Sequence, residues 1–378
     1  MKVLLITRGG IDSEKLIGNF ELDQAIALKK CNIDVRVLSL DIRRKISYNE
    51  SDSRYINYMG ISIYCYKLGK VSRILPFSVK SSISQWKMLR CFKNITQNWR
   101  PDLVHAHFGD VAYQALKIKK ANNNLPFVVT EHFSLMNSEK PNRLLLQRMV
   151  KTYKNANKLI CVSNSFRDNL NKSTGFQFEV LPNLLDPMFF DKNISIKKKI
   201  EKKQPIRIIS AGNYTKNKNF TFLISILSEI TEIDWHLEIY GSGYEYKNMN
   251  DMVERLNLSH KITIGHRLER KNLIEKYLNS DIFILLSKKE TFGVVYIEAM
   301  ACGLPVVSLE CGGTEDIINK TNGIIIREKD NEKVKNSIRK ILSEVNDYNR
   351  QKIANDTYNA YNFRNIIDRQ LRIYNDLL

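Results

Sequence analysis

Short apolar runs alternate along the chain with amphipathic stretches of helical length, the pattern of α/β units built on parallel sheets. In the first half Val3-Leu4-Leu5-Ile6-Thr7 reads as a strand and Phe20 to Lys30 as the helix behind it. Val35 to Leu38, Asp102 to His107, Phe127 to Thr130 and Leu159 to Val162 read as further strands, giving one doubly wound domain over residues 1–184. The pattern restarts after Val180-Leu181-Pro182-Asn183, and the polar run Lys197 to Lys203 falls in an expected linker, 185–204. Strand-like runs recur at Arg207 to Ser210, Leu237 to Tyr240, Ile262 to Ile264, Asp281 to Leu286 and Pro305 to Val307, a second doubly wound domain over 205–360. The last stretch, 361–378, is expected to be a helix that packs back on the first domain.

In open α/β sheets ligands bind beyond the carboxyl ends of the strands, at the point where strand order reverses. Two such domains facing one another across a hinge would form a cleft, and 378 residues are enough for both. Met1-Lys2 leads into only a short apolar run before Arg8, and no stretch approaches the length of a spanning helix, so a cytoplasmic protein is expected. Six scattered cysteines without a C-x-x-C pair indicate neither a disulfide framework nor a structural metal.

Charge adds a partner class. The formal net charge is +19, and residues 1–184 hold 29 Lys+Arg against 14 Asp+Glu, whereas residues 185–378 hold 30 against 26. A basic first half attracts phosphate-rich partners: nucleic acid, an anionic lipid surface or a lipid-phosphate substrate. Between Lys70 and Arg100 the cations are interleaved with Leu75, Phe77, Trp86, Phe92 and Trp99. That suits peripheral docking on an anionic bilayer, and equally an ordinary amphipathic helix covering the sheet. No zinc finger, RNP motif or DNA-reading helix is present, so nucleic acid is not an expected partner.

The segment from Lys288 to Val307 carries the most chemistry. It follows a predicted strand, turns at Thr291-Phe292-Gly293 and continues as a helix until Gly303. Backbone amides near Thr291 to Val294 are then free at a helix N-terminus, where a diphosphate binds. Glu290 and Glu298 are eight residues apart, close to two helical turns, and are expected along one side of one ligand. Carboxylates accept hydrogen bonds from vicinal hydroxyls, as a sugar or ribose requires. By spacing alone, a capping Glu290 with a solvated Glu298 is the more common arrangement.

This segment resembles the E-x7-E signature of the retaining glycosyltransferases of glycosyltransferase family 4, which have the GT-B fold: two Rossmann-like α/β domains facing across a cleft. The resemblance implies that Glu298 holds the nucleotide ribose and Glu290 contacts the donor sugar, with the amides of Phe292, Gly293 and Val294 near the phosphates. Gly312-Gly313-Thr314-Glu315-Asp316 resembles the family's following G-G-x-x-[DE] stretch. Gly18 opens the first helix and resembles the glycine loop that approaches the sugar. Thr130-Glu131-His132 resembles the strand end whose His lies near the reaction centre, so His132 joins Glu290 as a catalytic candidate. His107, ending the Asp102 strand, is an acceptor-side candidate, and His105 is expected to face another way. Gly212-Asn213 with Lys218 resembles the loop that clamps the diphosphate, with Asn213 where the family has Arg. Gly241 lies in a stretch similar to the family's G-x-G-x-E turn. Thr291 completes the donor-binding set.

No Asp-x-Asp occurs in the sequence. Neither metal nor cofactor is expected; the nucleotide sugar is a substrate. The resemblance and charge together imply a nucleotide-sugar-dependent transferase acting on a lipid-linked or membrane-presented saccharide in surface-polysaccharide synthesis, a peripheral enzyme of the inner face of the plasma membrane. A soluble glucan or small-molecule glycosyltransferase and a nucleotide-sugar epimerase of the same architecture remain the alternatives.

Overall fold

A computed structural model describes residues 1–8, 20–41, 53–67, 77–137, 142–190, 196, 205–328 and 330–378. The elements run β1 (Lys2–Arg8), α1 (Phe20–Lys30), β2 (Asp34–Asp41), β3 (Ser53–Tyr58), β4 (Ile61–Lys67), α2 (Phe77–Ile95), β5 (Leu103–His107), α3 (Gly109–Ala121), β6 (Phe127–Glu131), α4 (Arg143–Tyr153), β7 (Lys158–Cys161), α5 (Asn164–Thr174) and β8 (Glu179–Val180). They continue with β9 (Ile206–Asn213), α6 (Phe220–Ser228), β10 (Trp235–Ser242), α7 (Tyr246–Arg255), β11 (Ile262–His266), α8 (Arg270–Asn279), β12 (Ile282–Leu285), α9 (Val294–Ala301), β13 (Val306–Leu309), β14 (Gly323–Ile326), α10 (Asn331–Ser343), α11 (Arg350–Tyr361) and α12 (Phe363–Asn375).

The chain forms two Rossmann-like α/β units, Met1–Leu184 with Phe363–Leu378, and Leu185–Asn362. Of the stretch expected to link them, 185–190 belongs to the second unit, where the Leu185 amide donates to the Tyr361 carbonyl. The run Lys197 to Lys203 lies outside the described residues. In the first unit the strand order is β3-β4-β2-β1-β5-β6-β7-β8, parallel except for the β3–β4 hairpin. Met59 and Gly60 both take positive φ at that hairpin, as a two-residue turn matching strand twist requires. Strand order reverses between β1 and β5, so the ends of those strands, Arg8 and His107, stand at the switch point. The second sheet runs β11-β10-β9-β12-β13-β14, all parallel, and its switch point lies between β9 and β12.

The strands form where the apolar runs stand because both faces of a parallel sheet are covered: Val3 to Ile6 and Ile282 to Leu285 are wholly buried. Helix α5 starts where the Ser163 hydroxyl accepts the Phe166 amide and stops at Gly175 in left-handed geometry. Helix α12 returns to the first unit, where Ile366, Ile367, Ile373 and Tyr374 join Leu22, Ala25 and Leu28 in one core. Each buried isoleucine of α12 contributes roughly 1.5–3 kcal/mol, so the C-terminal helix is part of the first unit's core.

Strands β3, β4, β8 and β14 were not among the sequence expectations. The basic aromatic stretch is also only partly available to a surface: Phe92 and Trp99 are buried, Trp99 with its indole N–H on Asp34, while Trp86 is 59% exposed. Lys70, Arg73 and Leu75 lie outside the described residues. Among the described residues no helix is long and apolar enough to cross a membrane. All six cysteines are free thiols, four of them buried.

Candidate functional site

Three loops of the second unit converge beyond the carboxyl ends of β9, β12 and β13. The loop after β9 is laced to the loop after β12 through Asn217, whose carbonyl accepts the Lys288 amide and whose side chain donates to the Lys289 carbonyl, each at 2.8 Å. The Glu290 amide donates to Cys311, and the Glu315 carboxylate holds the amides of Cys311 and Gly312. This lacing brings Lys218 Nζ to 2.6 Å from Glu290 Oε1, with both side chains largely buried. The two residues assigned to phosphate and to sugar therefore share one spot.

The turn expected at Thr291-Phe292-Gly293 is present and separates Glu290 from Glu298. Gly293 takes φ 96°, and α9 begins only at Val294, so Glu290 belongs to the loop and Glu298 to the helix. A side chain at Gly293 would also meet the Tyr296 ring, which holds that turn. Glu298 is nearly buried, and its carboxylate accepts from the Tyr277 hydroxyl at 3.4 Å. Neither glutamate is the capping or solvated residue of the blander reading. The first amides of α9, from Val294, have no partner within the helix. The Phe292 side chain is buried against Tyr361, so only its backbone can face a ligand, and Thr291 is half-buried.

Gly212 and Gly241 stand side by side in register on β9 and β10. A Cβ on Gly241 would lie 1.9 Å from the Gly212 carbonyl oxygen, so backbone approach demands glycine there. Asn213 follows, exposed, at the end of β9.

In the first unit a second cluster occupies the switch point. His107 and His132 are buried, and His107 Nδ1 lies 3.0 Å from His132 Nε2. His105 stacks on His107 at 4.5 Å instead of facing away, because residues two apart on a strand share a face. His105 Nδ1 meets the Tyr374 hydroxyl at 2.6 Å and its Nε2 meets Thr130 Oγ1 at 2.7 Å. Burial lowers His107 to about 3 and holds His105 and His132 well below the usual histidine range, so all three rings are neutral. The His132 ring is boxed by Phe20 at 4.5 Å and Phe108 at 5.1 Å.

Sequence reading missed the supports of this cluster. Glu131, fully buried, accepts from the amides of Gly109, His132 and Phe133 and from the Tyr153 hydroxyl at 2.5 Å. Burial raises it to about 7, with the Tyr153 hydrogen bond and the amides opposing. Arg8 lies over the rings of Phe108 and Phe133 and pairs with Asp110. Phe108 itself takes φ 67°, an uncommon backbone for an aromatic residue and the bend that turns β5 into α3. Glu131 had a signal, its place in Thr130-Glu131-His132; Arg8 had only its position after an apolar strand. Gly18 lies outside the described residues. Among the described residues no three His, Cys, Asp or Glu side chains form a metal cluster.

Comparison with known proteins agrees with both units. Residues 18–189 match the model of glycosyltransferase family 4, and residues 191–358 that of glycosyl transferases group 1. An uncharacterized glycosyltransferase of Methanocaldococcus jannaschii is 25% identical over 293 residues, 72% of this chain and 75% of that protein. One component of human phosphatidylinositol N-acetylglucosaminyltransferase is 25% identical over 340 residues, 86% of this chain and 67% of that protein. The putative teichuronic acid biosynthesis glycosyltransferase TuaC of Bacillus subtilis is 24% identical over 349 residues, 87% of this chain and 86% of that protein. Among solved structures, sucrose-phosphate synthase of Thermosynechococcus elongatus superposes with a TM-score of 0.80 at 19% identity, covering 100% of this chain and 98% of that one. Anabaena HepE in complex with UDP and glucose gives 0.75 at 16% identity, covering 99% of each chain. These likenesses place the fold among the GT-B glycosyltransferases.

Proposed function

The chain belongs to the glycosyltransferase superfamily, and from that premise we propose that it is a retaining enzyme transferring a sugar from a nucleoside-diphosphate sugar to a lipid-linked or membrane-presented saccharide during surface-polysaccharide assembly. The observation that carries the donor half is the Lys218–Glu290 pair beside the start of α9. A diphosphate takes Lys218 and the helix amides, sugar hydroxyls take Glu290, and ribose hydroxyls take Glu298. The same cation and amides receive the charge that develops on the departing nucleoside diphosphate, so no divalent metal is needed at this step.

Retention follows the family resemblance and is supported by the carboxylates near His132. Double displacement needs a free carboxylate nucleophile. Glu131 is committed to four donors and Asp110 to Arg8, so front-face attack, with the leaving phosphate taking the acceptor proton, fits these residues better.

The acceptor half rests on the helices of the first unit. Helices α2 and α4 contain no acidic residue, and they flank α3, whose one acid, Asp110, is paired to Arg8. Trp86 stands exposed on this face with Lys117 Nζ 3.9 Å over its ring. A basic face carrying an exposed Trp suits the surface of an anionic bilayer, which would present a lipid-linked acceptor at the inner face of the plasma membrane. The names of the human and Bacillus relatives, one a phosphatidylinositol glycosyltransferase and one of teichuronic acid synthesis, point the same way.

The test is thermal stabilisation by a panel of UDP-, GDP- and ADP-sugars, with and without EDTA, on the wild type and Glu298→Ala. One nucleotide sugar is expected to stabilise the wild type equally in EDTA and to lose its effect in the variant. A panel that leaves the wild type unmoved refutes the donor assignment.

A further inference from the structure

The histidine pair at the end of β5 and β6 has a bonding pattern that fixes more than ring position. His132 Nε2 is occupied by His107 Nδ1, and the His132 ring makes no other hydrogen bond among the described residues. Only His132 Nδ1 is left for a ligand. On the His107 side, Nε2 is buried and has no hydrogen-bond partner among the described residues. The cavity it borders, with Phe20, Gln24, Thr130 and Leu181, measures about 10 Å³, at the lower limit of what one water occupies.

A neutral imidazole carries one proton, on one nitrogen or the other. A proton on His107 Nε2 would be a buried N–H with no acceptor, an arrangement folded proteins tolerate less than an unused lone pair. The proton therefore sits on His107 Nδ1, which donates to His132 Nε2. His132 Nε2 is then an acceptor, and the His132 proton is on Nδ1.

The ring beneath is held by the same kind of bookkeeping. Gln24 donates to the Gln370 carbonyl oxygen, and the Gln370 amide donates to the Tyr374 oxygen. The Tyr374 hydroxyl is left to donate to His105 Nδ1, and His105 Nε2–H donates to Thr130. His105 thus has a fixed tautomer too, set by two residues of α12, and it is the face on which His107 stacks.

We propose that His107 is a positioning residue: it donates Nδ1–H to His132 Nε2 and so holds His132 in the tautomer that carries its proton on Nδ1. His132 then meets a sugar hydroxyl as a hydrogen-bond donor and cannot accept a proton there as a base. That last consequence rests on the glycosyltransferase reading above; the tautomer does not, and it can be measured without substrate.

The experiment is a long-range proton–nitrogen correlation spectrum of protein labelled with ¹⁵N-histidine. The His132 signals are assigned by their loss in His132→Gln. In the wild type, His132 is expected to show a protonated Nδ1 and an unprotonated Nε2. His107→Phe, which removes the donor, is expected to release the ring to a mixture or to the opposite tautomer. His107→Asn places an amide N–H where Nδ1 stood and is expected to restore the wild-type pattern. A wild-type His132 protonated on Nε2 overturns the proposal, as does a His107→Phe protein, folded by its melting curve, in which the His132 pattern is unchanged. If His107→Phe does not fold, the wild type and His107→Asn still decide: both must show the Nδ1–H form. Once a donor is identified, His107→Phe is expected to lower kcat about tenfold and His107→Asn by less than about threefold, the range of one hydrogen bond. A normal NMR pattern with no transfer to any acceptor would fault the functional reading and leave the tautomer assignment standing.

Discussion

Replacing Glu131 by Gln tests the support of His132 through pH. Glu131 is wholly buried, accepts three backbone amides and a tyrosine hydroxyl, and is raised by burial from its ordinary 4.5 to about 7. The unfolded chain releases this proton near its ordinary value, whereas the folded chain holds it until about 7. Between those values the folded state binds more protons, so its stability is fully present below the unfolded value and declines as pH rises through the folded one. At about 1.4 kcal/mol per pH unit the whole span corresponds to roughly 3 kcal/mol. Glutamine does not titrate, but its amide cannot accept from Gly109, a fixed cost on the order of 1–3 kcal/mol. The assay is urea unfolding of wild type and Glu131→Gln at about pH 5 and about pH 8.5. The wild type's advantage over the variant is expected to shrink by roughly 2–3 kcal/mol between them, and the second unit's transition serves as internal control. An advantage that is constant with pH, or that grows, refutes the account of Glu131 as a carboxyl whose ionisation the fold opposes.

Asn213→Arg is expected to tighten nucleotide-sugar binding about tenfold, the low end for a charge-assisted hydrogen bond because the position is exposed. Isothermal titration reads it, and an unchanged Kd would mean that the end of β9 does not face the diphosphate. On anionic vesicles the protein is expected to bind at low salt and release as the Debye length falls from roughly 10 Å at 0.1 M to 3 Å at 1 M. Trp86→Ala is expected to weaken that binding several-fold in co-sedimentation. Equal binding to neutral vesicles, or none to anionic ones at low salt, would remove the basic helical face from the reading.

Much of the fold was legible because parallel strands buried on both faces must be apolar: Val3 to Thr7, Phe127 to Thr130 and Asp281 to Leu286 lie where the runs put them. β3 was not, since Ser-Arg-Tyr-Ile-Asn-Tyr at a sheet edge needs no apolar run and depends on its β4 partner. The donor-side assignments rest on resemblance, and the Lys218–Glu290 contact was not among the sequence expectations. The turn before α9 was legible, since Gly293 takes the left-handed geometry that its place in Thr291-Phe292-Gly293 predicts and the helix starts at Val294. The error at His105 was a misapplied period: two residues along a strand return to the same face.

What stayed out of reach is the set of partners joined across long stretches of chain. Tyr374 is 269 residues from the histidine it binds, and Lys218 is 72 from Glu290. No local pattern encodes such a pair, because each member only has to be polar in an apolar neighbourhood. This bears on how His132 should be tested. The residue that resemblance singles out has its ring nitrogen bonded by His107 and its backbone amide held by Glu131, which resemblance left as an acceptor-side candidate and as unassigned. Removing His132 alone would leave the buried His107 Nδ1–H without an acceptor, at a cost of roughly 1–3 kcal/mol that has nothing to do with a sugar. Loss of activity in His132→Ala therefore mixes two effects. His132→Gln, whose carbonyl can still accept from His107, paired with His107→Asn in a double-mutant cycle, is the comparison that separates them.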